Sequence, residues 1–305
     1  MPLRPTRPAG LLLLAAVLPF AGCASLNRIA TTNRSPLDWN GQRRIELPLT
    51  LDSVGRPNVP ARINGQEVLV LIDSGGGWPS MTPALATATG ERARGTAVVN
   101  GATYAAATSV PVQLGSASLQ LDRVTIGEQT ADTQFTIGPE LLLQAVVDMD
   151  FDNGRVSIIR PDAWTPPPDE PVDVHLWWTK PTVELHVNDQ QQPVCAVLDT
   201  GFNAGVALSG EELDALALPR SAGVTTVTGF GGVRWNAATL PSLHEVRFSD
   251  QHYRDVPLTE KKSGVQWDCP NLVGMGVLSH HHIVFDLPHR RIWLLPRATA
   301  TVASR

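Results

Sequence analysis

Two short stretches place an acid where apolar neighbours set the rule. In "VLIDSGG", residues 70 to 76, Asp73 follows Val70, Leu71 and Ile72; in "AVLDTGF", residues 196 to 202, Asp199 follows Ala196, Val197 and Leu198. Each acid is followed by a small hydroxyl residue, Ser74 or Thr200, and then by a glycine, Gly75 or Gly201. An apolar trio predicts a buried strand, so each carboxylate is expected at a strand's end. Two carboxylates held close cannot both ionise cheaply, so one pKa rises and one falls. Such a pair can take a proton from water and give one to a leaving group, with neither metal nor covalent intermediate. The pair titrates as a unit, so acid and base are not assigned to Asp73 and Asp199 separately. Glycine at the third position lets backbone N–H groups approach the carboxylates. Either tripeptide alone is a weak signal whose plain reading is an ionised Asp in a tight turn. The matched contexts of the two carry the argument.

The elements that must position these acids are short and β-rich. From Ile45 the chain runs through "RIELPLTL", "VPARING", "QEVLVLID", "ATSVPVQL" and "ASLQLDRVTI", alternating runs broken by Gly, Asn and Pro. "NGQ" at 64 to 66 and "NGA" at 100 to 102 predict hairpin turns. "PDAWTPPPDEP", residues 161 to 171, cannot join a central strand and predicts a stiff linker. After it the same order returns: "KPTVELHVNDQQQPVCAVLDTG" parallels "RPNVPARINGQEVLVLIDSG". Each half ends alike, in "FTIGPELLLQAVVDMDFDNGRVSII" and "NLVGMGVLSHHHIVFDLPHRRIWLL". The repeat, about 126 residues from Asp73 to Asp199, is too long for a solenoid unit and indicates a duplicated domain. The expected divisions are 1–22, 23–43, 44–160, 161–171, 172–297 and 298–305.

Together these residues resemble the retropepsin-like (clan AA) aspartic proteases. The resemblance rests on apolar-apolar-Asp-[Ser/Thr]-Gly followed in the same half by apolar-apolar-Gly and a short helix, and it covers about residues 45 to 297. "VLDTGFNAGVALS" is similar to the bacterial branch of that group. "DSGGGWPSMTP" departs from the pattern, with extra glycines and Trp78 where small apolar residues are usual. The resemblance implies an all-β fold with short helices, in which two tandem lobes form a pseudo-dimer around a central cleft. It implies an aspartic endopeptidase in which Asp73 and Asp199 activate water together and no cofactor is required. Ser74 and Thr200 would hydrogen-bond across the lobe interface, and Gly75 and Gly201 would leave room for backbone contacts. The substrate would be an extended peptide or protein segment bound as a strand. Flap hairpins would cover it, with Phe230 and Trp235 in "VTGFGGVRWN" and Tyr104 in "TAVVNGATYAA" as candidates; hairpin packing explains those aromatics equally well. Two rivals stay open: an inactive lipoprotein that binds a peptide or envelope partner, and a dyad built from Asp199 of two chains. On the main reading the chain is a monomer.

The other signals concern address and exclusions. Arg4 and Arg7 followed by "LLLLAAVLPF" form a signal-peptide pattern over residues 1 to 22. "FAGCAS" resembles a bacterial lipobox, with Phe20 where Leu is usual and Cys23 as the lipidated residue. Export, a lipid anchor through residues 23 to 43, and an outer membrane position facing the periplasm are the expectations. In an exported chain Cys195 and Cys269 either pair or stay as two buried thiols. Net charge is -5 and no Lys/Arg run occurs, which argues against nucleic-acid binding. His280, His281 and His282 lack the spacing of a metal site, and Asp148, Asp150 and Asp152 lack the ligand run of a calcium loop. The histidines are expected in the short helix after the second apolar-apolar-Gly. No G-x-S-x-G elbow or phosphate loop occurs.

Overall fold

In a computed structural model, residues 35–99, 101–218, 224–232, 234–238, 240–261 and 268–298 are described. The duplication read from the sequence is visible strand by strand. In the first lobe, Pro57–Ile63 turns through Asn64 and Gly65 (φ 48° and 82°) into the antiparallel strand Gln66–Ile72. Both turn residues are left-handed, which is why Asn-Gly stands there. Gln66–Ile72 lies parallel to Phe135–Ile137, which pairs antiparallel with Ser80–Met81, which in turn lies parallel to Val124–Ile126. In the second lobe, Lys180–Val187 pairs antiparallel with Val194–Leu198. Val194–Leu198 lies parallel to Asn271–Val273, which pairs antiparallel with Val206–Ser209, itself parallel to Leu258–Lys261. Hairpins Val110–Leu114/Ala117–Leu121 and Leu243–Phe248/Gln251–Val256 extend the two sheets. The strict buried–exposed alternation of "VPVQL" and "ASLQL" shows one face on the core and one in water.

A third sheet joins the lobes. Its order is Arg44–Pro48, Arg155–Ile159, Val146–Asp150, His281–Asp286, Arg291–Pro296. The seam is the pair Val146–Asp150 and His281–Asp286, the last hairpins of the two halves, in register at Val147↔Phe285. Phe135, Ile72, Phe248 and Phe285 are fully buried in an apolar cluster that runs through both lobes, and Trp293 is buried in a second, smaller cluster with Val146, Ile159 and Val284. The lobes therefore share one core, which fixes their mutual orientation and that of anything carried at their facing edges.

Four expectations need correction or completion. The expected tether of 23–43 ends sooner, because residues 35–43 pack on the first lobe: Leu37 is buried, its N–H donates to Gln144 Oε1 at 2.7 Å, and Asp38 bridges Ser118. The linker 161–171 is anchored to the sheet that joins the lobes. Pro161–Ala163 forms a 3₁₀ turn, and Trp293 Nε1 donates to Asp169 O at 2.8 Å. His281 and His282 lie on the strand His281–Asp286, because the helix Met275–Leu278 stops at Ser279. Cys195 and Cys269 are joined by a disulfide, with Cα atoms 5.1 Å apart. Cys23, the signal-peptide residues 1–22 and nearly all of the tail 298–305 lie outside the described residues. No helix among the described residues is long and apolar enough to cross a membrane.

Candidate active site

Each of the two acids caps its own strand and is held by the neighbouring parallel strand. Asp73 N–H donates to Ile137 O and Asp199 N–H to Val273 O, both at 2.8 Å. The chain then turns back on itself: Gly76 N–H reaches Asp73 O at 3.3 Å and Phe202 N–H reaches Asp199 O at 3.2 Å. The glycine of each apolar-apolar-Gly stands against this turn. A Cβ on Gly138 would lie 2.3 Å from Asp73 O, and one on Gly274 would lie 2.5 Å from Ala204 O and Phe202 O. No side chain fits there, which gives those glycines their physical reason.

The two turns meet face to face. Ser74 and Thr200 are wholly buried and exchange hydrogen bonds across the lobe boundary. Ser74 N–H donates to Thr200 Oγ1 and Thr200 N–H donates to Ser74 Oγ, each at 3.0 Å. Each hydroxyl spends its own proton on a carbonyl of the opposite lobe: Ser74 Oγ on Leu198 O at 2.7 Å, Thr200 Oγ1 on Ile72 O at 2.6 Å. The four bonds obey a local two-fold relation and leave none of these six polar groups unsatisfied. Gly75 and Gly201 carry the acids to their meeting. A Cβ on Gly75 would lie 2.2 Å from Asp199 Cγ, and one on Gly201 would lie 2.5 Å from Asp73 Cγ. Each carboxylate therefore rests on the other lobe's glycine.

Burial governs the electrostatics at Asp73. Burial, then the charge of Asp199, pushes the Asp73 carboxyl up to about 7, with Lys180 pulling the other way. Asp73 Oδ1 is shut off from solvent and has no hydrogen-bond partner among the described residues. Asp199 Oδ1 instead accepts from Gly201 N–H at 2.8 Å. A carboxyl raised in this way beside a second one can keep its proton near neutral pH.

Around the pair lies a cleft of about 640 Å³, lined from both lobes. Trp78 forms part of its wall and leaves it open. Over it, two hairpins approach each other. Gly95–Val99/Ala102–Ala107 is tied to the first lobe's sheet, while Val224–Thr228/Arg234–Ala238 forms a separate two-stranded sheet. Tyr104 and Phe230 meet with ring centroids 5.1 Å apart, Phe230 also lines the cleft, and Gly231 N–H donates to Glu128 O at 2.8 Å. Tyr104 thus packs against Phe230, and of these two rings Phe230 is the one that lines the cleft. Trp235 lies on the strand Arg234–Ala238, and its side chain is outside the described residues.

Sequence reasoning missed the cations. Lys180 and Arg56 occupy matched positions in "KPTV" and "RPNV". Arg56 is buried and committed: it pairs with Asp52 at 2.7 Å, donates to Thr130 and Thr133, and comes within 3.5 Å of Gly201 O. Lys180 is buried and lines the cleft with both aspartates. Lys261 also lines it and donates to Pro270 O at 2.7 Å. The repeat alignment was the signal that could have found Lys180.

The features set aside as metal sites are otherwise engaged. His282 pairs with Asp148 and His281 with the Tyr253 hydroxyl. Asp150 accepts from Asn153, and Asp152 holds Arg297. No group of three or more metal-ligating side chains occurs among the described residues.

These lobes, the parallel-strand turns and the facing acids define the two-lobed aspartic-protease fold. No protein-family model and no curated protein matches the sequence. Solved structures do match in fold. The aspartic proteinase from Irpex lacteus superposes with a TM-score of 0.51 at 11% identity, over 86% of this chain and 100% of that one.

Proposed function

We propose that this chain is an aspartic endopeptidase of the retropepsin-like group, with its dyad formed within one chain by Asp73 and Asp199. The observation that carries this is the reciprocal bonding of Ser74 and Thr200, which presses each acid onto the glycine of the other lobe. A water held between the carboxyl groups would lose a proton to the ionised one as it attacks the peptide carbonyl. The protonated one would stabilise the developing oxyanion and then supply the leaving amine. An extended peptide would lie along the cleft under the hairpins bearing Tyr104 and Phe230, which part to admit it. The meeting of the acids within one chain supports this over a dyad built from two chains. The convergence of the two carboxyl groups on one another's glycines supports it over an inactive binder. On the sequence pattern at Cys23 we also place the enzyme on an N-terminal lipid anchor, exported to the envelope of a bacterium.

The test is digestion of a diverse peptide library by the protein lacking residues 1–22 and carrying Cys23→Ser, from pH 3 to 8, read by mass spectrometry. Cleavage at internal bonds, with preferences on both sides of the scissile bond, is the expected result. Folded protein that cleaves nothing across this range would refute the proposal.

A further inference from the structure

The dyad is built with near two-fold symmetry, yet the charges behind it are not symmetric. At the position four residues before Arg56 stands Asp52, which pairs with it at 2.7 Å. At the position four residues before Lys180 stands Leu176. The first lobe therefore neutralises its cation locally, with Thr130 and Thr133 completing the set. In the second lobe the cation lines the cleft that holds the acids. Lys180 is 8% exposed, lines the cleft with Asp73 and Asp199, and passes its Cε within 4.0 Å of where a Cβ on Gly77 would stand. It thus reaches from the second lobe to the Asp73 loop of the first. Among the described residues, the other charged groups lining the cleft are Lys261 and Glu260 from the strand Leu258–Lys261, and Arg56, already held by Asp52.

We propose that Lys180 is a positioning residue whose buried charge sets the pH range over which Asp73 and Asp199 hold a single shared proton. The inference rests on the proposed dyad and adds to it. A desolvated cation near two carboxyl groups favours their ionised forms, so it lowers both apparent pKa values of the pair. The electrostatics run in this direction: Lys180 opposes the upward push on Asp73, while Asp199 and then Asp73 oppose the burial that lowers the Lys180 ammonium. Without the cation, a dyad this secluded would stay doubly protonated to higher pH and would reach its working state late. With it, the singly protonated state extends to more acidic solution.

The experiment uses the full-length chain as wild type, Lys180→Met and Lys180→Arg. The carboxyl ¹³C resonances of Asp73 and Asp199 are titrated by NMR, and kcat/KM is measured against pH. In Lys180→Met both apparent pKa values of the pair are expected to rise by about one unit or more. Both limbs of the rate profile should move up with them, while Lys180→Arg stays close to wild type. Unmoved carboxyl titrations in a folded Lys180→Met protein would overturn the inference, whatever happens to the rate. The NMR arm needs no turnover, so shifted carboxyl titrations without peptide cleavage would uphold the role of Lys180 and count only against proteolysis. If Lys180→Met does not fold, the charge-neutral Lys180→Gln replaces it under the same two criteria.

Discussion

Thr200→Val removes one oxygen from a place where water cannot replace it. Thr200 and Ser74 are fully buried, and the Thr200 hydroxyl serves two groups of the opposite lobe. It accepts from Ser74 N–H at 3.0 Å and donates to Ile72 O at 2.6 Å. Valine keeps the shape and takes both bonds away. Stranding a buried donor or acceptor costs about 1–3 kcal/mol, so the pair of losses should cost about 2–6 kcal/mol. In a protein of this size about 1 kcal/mol moves Tm by about 2–4 °C, so a loss of at least about 4 °C is expected. The assay is differential scanning calorimetry of wild type, Thr200→Val and Thr200→Ser. Serine retains the hydroxyl and should recover most of the loss. Ser74→Ala should behave like Thr200→Val, because it strands Leu198 O and Thr200 N–H in the mirror arrangement. The double variant should cost less than the two singles added, since both act on one network. A Thr200→Val protein melting within about 1 °C of wild type would refute the reasoning that this grip holds the lobes' turns together.

Three further outcomes follow from the same structure. Glu140 is buried with Oε1 unpartnered among the described residues, and burial pushes its carboxyl up to about 7 from 4.5. Its folded pKa lies above its unfolded one, so between about pH 4.5 and 7 the folded state holds the extra proton. Stability should therefore fall as pH rises through that window, and Glu140→Gln should flatten the fall by on the order of 3 kcal/mol in urea titrations at pH 4 and pH 8; parallel curves for the two proteins would count against it. Reducing the Cys195–Cys269 bridge, which spans 74 residues, should lower stability by about 4 kcal/mol; calorimetry with and without dithiothreitol reads this, and an unchanged melt would contradict it. Gly231 has φ 78°, and a Cβ there would lie 2.1 Å from the Tyr104 hydroxyl. Gly231→Ala should push the two hairpins apart and raise KM more than it lowers kcat in peptide assays, whereas unchanged kinetics would separate this contact from substrate binding.

What could be read in the sequence was what the duplication wrote twice. Asp73 and Asp199, their hydroxyl neighbours and the glycines behind them repeat at the same spacing, and the repeat dictates strand order in both lobes. Features whose role depends on packing against other elements were hard to read. Lys180 looks like any polar residue opening a strand, because its partners come from other elements and from the other lobe. Glu140 follows a proline at the start of a short helix, where an acid is ordinary, and its burial is a product of packing. Leu37 and Trp39 stand in a stretch polar enough to pass for a tether, yet they suffice to pin it to the first lobe. The three histidines suggested continuation of a helix that ends at Leu278, since helix ends are set by backbone bonding that residue type alone does not display.

The central claim is that two aspartates of one chain act as a unit. The most direct measurement is kcat/KM on a single cleavable peptide for Asp73→Asn, Asp199→Asn and the double variant, each confirmed folded and monomeric. The account predicts that either single change abolishes cleavage by about a thousandfold or more and that the double change adds almost nothing. Retention of substantial activity by Asp73→Asn, with loss confined to Asp199→Asn, would contradict it.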